Sequence, residues 1–247
     1  MAATYDRIGR VYARHRRTDP SVLGQIRRTL GDTVTVVNVG AGTGSYEPAD
    51  LDVVAVEPSA VMRAQRAPDA APCVAAVAEA LPFADGAFDA ATTVLSLHHW
   101  TDPWAGLDEL ARVSRRQVVL TFDPEPHLDL WLMRDYVPEM LELRGSQPPT
   151  PAAIARHLGG RIEDVPIPAE CADGFLVAYW RRPEAFLDPE VRASVSGLAQ
   201  LPDDLVAERM ARLAADLDDG TWARRNAALL TQDTFDGGLR LIVADAG

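Results

Sequence analysis

The sequence predicts an α/β fold, a doubly wound and mostly parallel β-sheet flanked by helices. Three observations carry this. Short apolar runs alternate with helical segments between residues 34 and 122. The first run, Val36-Val37-Asn38-Val39, opens directly into Gly40-Ala41-Gly42-Thr43-Gly44. The second, Val53-Val54-Ala55-Val56, delivers a carboxylate, Glu57, followed by Pro58. In such sheets ligands bind outside the carboxyl ends of the strands, at the point where the strand order reverses. Gly40, Glu57, Leu95 to His99 and Asp123 all fall at those ends.

Taken in order, residues 4–18 and 20–30 read as two N-terminal helices, with Asp19-Pro20 as break and helix start. Val34–Val39 is the first strand. The link Ser45–Asp50 is short for a crossover and contains Pro48, so one helical turn at most is expected there. Val53–Glu57 is the second strand. Ser59 is placed to cap a helix over Ala60–Arg66. A short third strand is expected near Cys73–Ala75. The stretch from Ala78 to Asp89 reads as a loop turning at Asp85-Gly86. Ala90–Leu95 is nearly continuously apolar, as a central parallel strand is. Asp102 caps a helix over Pro103–Val113, and Gln117–Phe122 is the fifth strand.

The second half is less regular. Residues 126–145 read as one helix rich in aromatic and methionine side chains, including Trp131, Met133 and Tyr136. Residues 151–158, 183–197 and 202–217 read as further helices. Ile162–Ile167 and Ala172–Tyr179 are expected as a strand and the approach to one, and Leu239–Ala244 closes the sheet. The cluster Pro148-Pro149-Thr150-Pro151 is the clearest internal break.

Glycine tolerates positive φ and lets a ligand approach the backbone. A carboxylate at the next strand end can accept hydrogen bonds from both hydroxyls of a ribose. The dinucleotide pattern G-x-G-x-x-G would place its third glycine at residue 45, which is Ser45. The spacing G-x-G-x-G therefore argues for a nucleoside ligand without a pyrophosphate. A phosphate-binding P-loop needs a lysine, and all 24 basic residues of this chain are arginine. The same absence excludes lysine Schiff-base chemistry.

Among 247 residues, 47% are hydrophobic, ample for a buried core. No run of 18 apolar residues predicts a membrane span, and the first residues lack the apolar core of a secretory signal. A net charge of −12 disfavours nucleic acid as the main partner. Cys73 and Cys171 have no metal-type spacing and read as reduced cytoplasmic thiols, so no metal is expected.

Four spaced segments, in order, resemble a known family. Val37–Gly44 looks like its glycine-rich first motif, and Val54–Ser59 like its ribose-binding strand end. Ala78-Glu79-Ala80-Leu81-Pro82-Phe83 with Phe88-Asp89 looks like its adenine loop, and Leu95–Trp100 like its substrate-facing loop. Tyr5-Asp6-Arg7-Ile8-Gly9, continuing to Tyr12 and Arg16, looks like its flap over the cofactor. The family is the class I S-adenosylmethionine-dependent methyltransferases, and the branch resembled is the small-molecule one similar to the ubiquinone and menaquinone biosynthesis methyltransferases. The resemblance covers about residues 1–123. It implies a seven-stranded Rossmann-like sheet with N-terminal helices and a helical lid. A single domain over 1–247 is implied, with a cofactor-binding core at 34–123 and flap, lid and substrate-pocket elements at 1–30 and about 124–235.

The cofactor implied is S-adenosyl-L-methionine. The residues implied to hold it are Tyr5, Tyr12, Arg16, Gly40, Ala41, Gly42, Gly44, Glu57, Pro58, Met62, Ala78, Glu79 and Leu95. The chain departs from the family at Val77, where an acidic residue is frequent before the Ala-Glu pair. Its short first link also sets Tyr46 and Glu47 near the cofactor with no role readable for either.

The activity implied is in-line transfer of the sulfonium methyl to a small-molecule acceptor, in the cytoplasm, by a monomer or homodimer with no nucleic-acid or membrane partner. A general base is needed only where the acceptor must lose a proton, and His98 and His99 are the candidates. Their alternative is packing beside Trp100. His127 and Asp123 face the same side. Two other readings stay open. One is non-methyl chemistry, elimination or cyclisation, with the nucleoside as bound ligand. The other is a non-catalytic cofactor-binding partner.

Overall fold

This computed structural model describes residues 17–143 and 148–245. The expected helix over 4–18, with Tyr5, Tyr12 and Arg16, falls almost wholly outside the described residues, and those three side chains lie outside them. Helix α1 (Pro20–Leu30) begins where Asp19 accepts from the N–H groups of Ser21 and Val22, with Pro20 in the first turn. It buries Val22, Ile26 and Leu30, one stripe at a spacing of four residues.

The strands are β1 (Thr35–Val39), β2 (Asp52–Val56), β3 (Cys73–Val74), β4 (Phe88–Val94), β5 (Ser114–Phe122), β6 (Arg161–Asp164), β7 (Ile167–Pro168), β8 (Thr234–Phe235) and β9 (Leu239–Asp245). Seven of them form one sheet in the order β3-β2-β1-β4-β5-β9-β6. β1 to β5 run parallel to one another. β9 is antiparallel to both β5 and β6. β7 and β8 pair separately. The order reverses between β1 and β4, so the switch point lies at the carboxyl ends of these two strands.

Alternation along the strands supplies both faces of the sheet. Val36, Ala90, Val118 and Leu241 pack in one apolar cluster with α1. Val37, Ala91, Val119 and Ile242 pack in the other. That second cluster includes Leu107 and Leu110 of α3 (Pro103–Val113) and Ile154 of α5 (Pro151–Leu158). Each of these side chains is at most 1% exposed, and full burial of one Leu or Val contributes about 1.5–3 kcal/mol.

Several expectations need correction. The helix after Ser59 is one turn, α2 (Ala60–Arg63), rather than 60–66. The link Ser45–Asp50, expected to hold one helical turn at most, holds none, in keeping with that expectation. Residues 126–145 do not form one helix. α4 (Pro124–Leu128) stops early, Leu132–Tyr136 is a wide π turn, and Pro138–Glu142 is a 3-10 turn. Pro126 is tolerated in the first turn of α4, but Pro138 lacks the N–H that a continuous helix needs. The breaks turn the aromatics inward. The Trp131 indole donates to the Trp180 carbonyl at 2.7 Å. Its ring meets Tyr136, Phe186 and Trp222 edge-on at 5.9, 5.8 and 5.2 Å.

Pro166 ends β6 before Ile167, which pairs instead with β8. Ala172–Tyr179 forms no strand; its end, Leu176–Tyr179, is a buried 3-10 turn, because a short apolar run does not distinguish strand from buried helix. Residues 183–197 divide into a 3-10 turn at Pro183–Leu187 and α6 (Pro189–Ser194). The helix expected over 202–217 is α7 (Asp203–Asp218). Among the described residues, no helix is long and apolar enough to cross a membrane.

Candidate functional site

The loop after β1 is held against β2. Gly40 and Ala41 donate their N–H groups to the Val56 carbonyl at 2.9 and 3.0 Å. Gly40 has φ +73°, and a Cβ there would overlap the Ser96 side chain. The two loops at the switch point therefore approach closely because residue 40 has no side chain. Gly42 has φ +54° and presents bare backbone beside Met62, whose Cε lies 3.4 Å from an ideal Cβ position.

Glu57 is buried at the end of β2, 8% exposed. Its Oε2 accepts from the Gly42 N–H at 2.9 Å and its Oε1 from the Ser59 N–H at 2.8 Å. Both oxygens are thus oriented by backbone donors, and each keeps further acceptor capacity. This fixes a carboxylate between the glycine loop and the cap of α2.

The short link after the glycines is held by charge. Glu47 and Arg66 pair at 2.8 Å with side chains 8% and 6% exposed. Arg66 also donates to the Ala71 carbonyl at 2.9 Å, and Asn38 donates to Glu47 at 3.2 Å. Gly44 abuts this pair: an ideal Cβ there would stand 3.3 Å from both Arg66 Nη1 and Glu47 Oε2.

Beyond β4, Leu95 takes φ +52°. Ser96 and Thr93 join hydroxyls at 2.6 Å. The turn Leu97–His99 then sets His98 against His99, with ring centroids 3.7 Å apart and the planes tilted by 53°. Glu79 Oε1 accepts from the N–H groups of Thr101 and Asp102 at 2.7 and 3.0 Å, tying the loop before β4 to the start of α3.

These elements enclose a cavity of about 350 Å³ at the switch point. Gly40, Ala41 and Gly42 line it from the first loop, and Glu57, Pro58 and Met62 from the second strand end. Ala78, Glu79, Leu95 and His99 complete the set that the sequence singled out and the fold gathers. Gly44 and His98 are not part of the lining. Asn38, Tyr46, Ser96 and Trp100 line it without having been singled out as site residues. The position of Tyr46 beside the glycine loop was readable, but not its role. Asn38 interrupts an apolar strand, and that was the available signal. The Tyr46 phenol is held protonated well above its ordinary range by burial first and then by the Asp173 carboxylate. Its buried hydroxyl donates to Asp173 Oδ2 at 2.8 Å.

Comparison with known proteins fits this geometry. A methyltransferase domain model matches residues 37–122. A solved structure from Anabaena variabilis, assigned as a methyltransferase of an antibiotic biosynthesis pathway, is 32% identical with a TM-score of 0.83, over 93% of this chain and 98% of that one. Demethylmenaquinone methyltransferase of Beutenbergia cavernae is 42% identical over 39% of this chain and 43% of its own length. The enzyme of the same name from Mycolicibacterium vanbaalenii is 34% identical over 61% of this chain and 64% of its own. The chain therefore spans less than two thirds of these curated relatives. Near-complete mutual coverage of the Anabaena structure, on a cavity built from the family's glycine loop and acidic strand end, shows that the chain belongs to the class I S-adenosylmethionine-dependent methyltransferases.

Proposed function

We propose that this protein transfers the methyl group of S-adenosylmethionine to a small, partly hydrophobic acceptor. The observation that carries this reading is the Glu57 carboxylate, oriented by Gly42 and Ser59 at the mouth of a glycine-lined cavity. Two fixed acceptor oxygens suit the paired hydroxyls of a ribose. The bare backbone of Gly40–Gly42 suits the close approach of the rest of a nucleoside. Ala78 and Glu79 take the adenine side, with Glu79 acting chiefly through the Thr101–Asp102 turn it holds.

The cofactor supplies a sulfonium-activated methyl group, so the protein's part is orientation and exclusion of water. Orientation of this kind contributes about 7–11 kcal/mol. Met62, Val77, Leu95 and Trp100 give the cavity its apolar wall. Where the acceptor must lose a proton, His99 is the base, since it lines the cavity and His98 does not.

Residues 34–123 form the cofactor-binding core in this reading, with 1–30 and about 124–235 as flap and lid. The aromatics of 126–145 are core rather than acceptor cage, because Trp131 and Tyr136 are each 1% exposed. The acceptor belongs to the chemical range of the relatives, which extends to demethylmenaquinone by name. A cytoplasmic monomer or homodimer completes the reading. No observation favours elimination or cyclisation. The test is incubation with methyl-labelled S-adenosylmethionine and a panel of phenolic and quinol acceptors. Label in the product, with S-adenosylhomocysteine released, is expected. Product without label would overturn the reading.

A further inference from the structure

Two described residues other than glycine hold positive φ, Tyr46 at +62° and Leu95 at +52°, and both line the cavity. Non-glycine residues persist in this conformation only where their surroundings over-determine it, and such positions cluster at working sites. What over-determines Tyr46 is a set of contacts to two distant segments. Its N–H donates to Thr18 Oγ1 at 3.1 Å. Its ring is 2% exposed. Its hydroxyl donates to Asp173 Oδ2 at 2.8 Å, across 127 residues of chain, and accepts from the Asp19 N–H at 3.4 Å.

The same segments hold each other. Asp19 Oδ2 accepts from the Ala172 N–H at 2.9 Å, and Asp173 Oδ1 from the Gly174 N–H at 2.7 Å. Asp173 is itself 1% exposed. Among the described residues, those that line the cavity run from Asn38 to Thr101. Tyr46 thus connects a wall made by the first half of the chain to a turn in the second half.

We propose that Tyr46 is a positioning residue that fastens the Ala172–Gly174 turn to the cofactor cavity, so that filling the cavity orders the second half of the chain. Tyr46 carries this through its hydroxyl, because the phenol is the group shared between the cavity wall and Asp173. A ligand that fixes the backbone around residues 40–46 then fixes the turn as well, through a contiguous set of buried hydrogen bonds. The proposal rests on the cofactor reading above and deepens it: it assigns to the irregular first link the task of reporting occupancy to the C-terminal half.

Hydrogen exchange read by mass spectrometry, with and without saturating S-adenosylhomocysteine, tests this on wild type and on Tyr46→Phe. Phenylalanine keeps the ring and removes the hydroxyl. In the wild type, ligand is expected to slow exchange both in peptides covering 40–46 and, about tenfold, in peptides covering 172–180. In Tyr46→Phe the first protection should persist at saturation and the second should shrink toward the ligand-free rate, the Asp19–Ala172 bond being left in place. A purely structural role would raise exchange with and without ligand alike. Equal ligand-induced protection of 172–180 in both proteins overturns the proposal, as does wild-type protection confined to 40–46. Should Tyr46→Phe fail to fold, Asp173→Ala removes the acceptor of the same hydrogen bond from the other side and is judged by the same two peptides. Failure of the wild type to bind S-adenosylhomocysteine at all overturns the cofactor reading, and this proposal with it.

Discussion

Replacing Glu57 by glutamine changes one atom and removes a charge. In the wild type both carboxylate oxygens are acceptors, Oε2 for Gly42 at 2.9 Å and Oε1 for Ser59 at 2.8 Å. Glutamine keeps one acceptor and turns its amide nitrogen, a donor, toward the other N–H. One buried donor is left unpaired, which costs about 1–3 kcal/mol. At about 2–4 °C per kcal/mol for a chain of this size, the melting temperature should fall by roughly 2–12 °C. The effect on binding is separate. Hydrogen bonds to a charged group contribute about 1.5–3 kcal/mol, so the Kd for S-adenosylhomocysteine should rise about 10- to 150-fold. Titration calorimetry at 25 °C beside thermal unfolding reads both numbers. An affinity equal to wild type in a folded Glu57→Gln protein would refute the assignment of this carboxylate to the ribose. A loss of stability without loss of affinity would make Glu57 a structural clasp only.

Gly40→Ala should destabilise by more than the roughly 1–2 kcal/mol that a left-handed conformation costs an L-residue, since its Cβ also overlaps Ser96. Pairing it with Ser96→Gly should recover the steric part, and urea unfolding of both variants checks this. Glu47→Ala leaves Arg66 charged and buried and should cost about 3–5 kcal/mol in the same assay. The paired change Glu47→Met with Arg66→Met should cost less, because two buried charges are removed together. The Cys171 thiol is pushed up to about 12, by burial first and then by the nearby Asp19 and Asp173 carboxylates. A pKa raised in the folded state gives stability that is present below the ordinary thiol value of 9.0 and is lost as pH rises from there toward 12. Cys171→Ala should therefore flatten the decline in stability above pH 9, and in the native protein at pH 8.5 Cys73 should alkylate before Cys171.

The sheet from β1 to β5 is legible in the sequence because each strand is a short apolar run bounded by a turn residue, and because Asp19, Ser59 and Asp102 cap helices where such residues do. Glu57 and the glycines are legible for the same local reason: their role is dictated by the conformation of three to five residues. What fails is non-local. The stretch 126–145 carries a helical pattern, yet Pro138 breaks it and a core of Trp131, Phe186 and Trp222 decides its path. Positive φ at Tyr46 and Leu95 has no signature in residue type. Asp173 meets Tyr46 across 127 residues, which no spacing rule foretells. The histidine pair was legible as a pair, but the turn Leu97–His99 decides that His99 faces the cavity and His98 does not.

The most direct test of the central claim is a calorimetric titration of wild type and Gly42→Val with S-adenosylhomocysteine, NAD and ATP. Gly42 has φ +54° at the cavity wall, beside Met62, and valine there fills space that the ligand would occupy. The account predicts saturable one-to-one binding of S-adenosylhomocysteine to the wild type, none to a folded Gly42→Val, and no binding of NAD or ATP to either. Retention of S-adenosylhomocysteine affinity in Gly42→Val, or tight binding of NAD or ATP to the wild type, would contradict it.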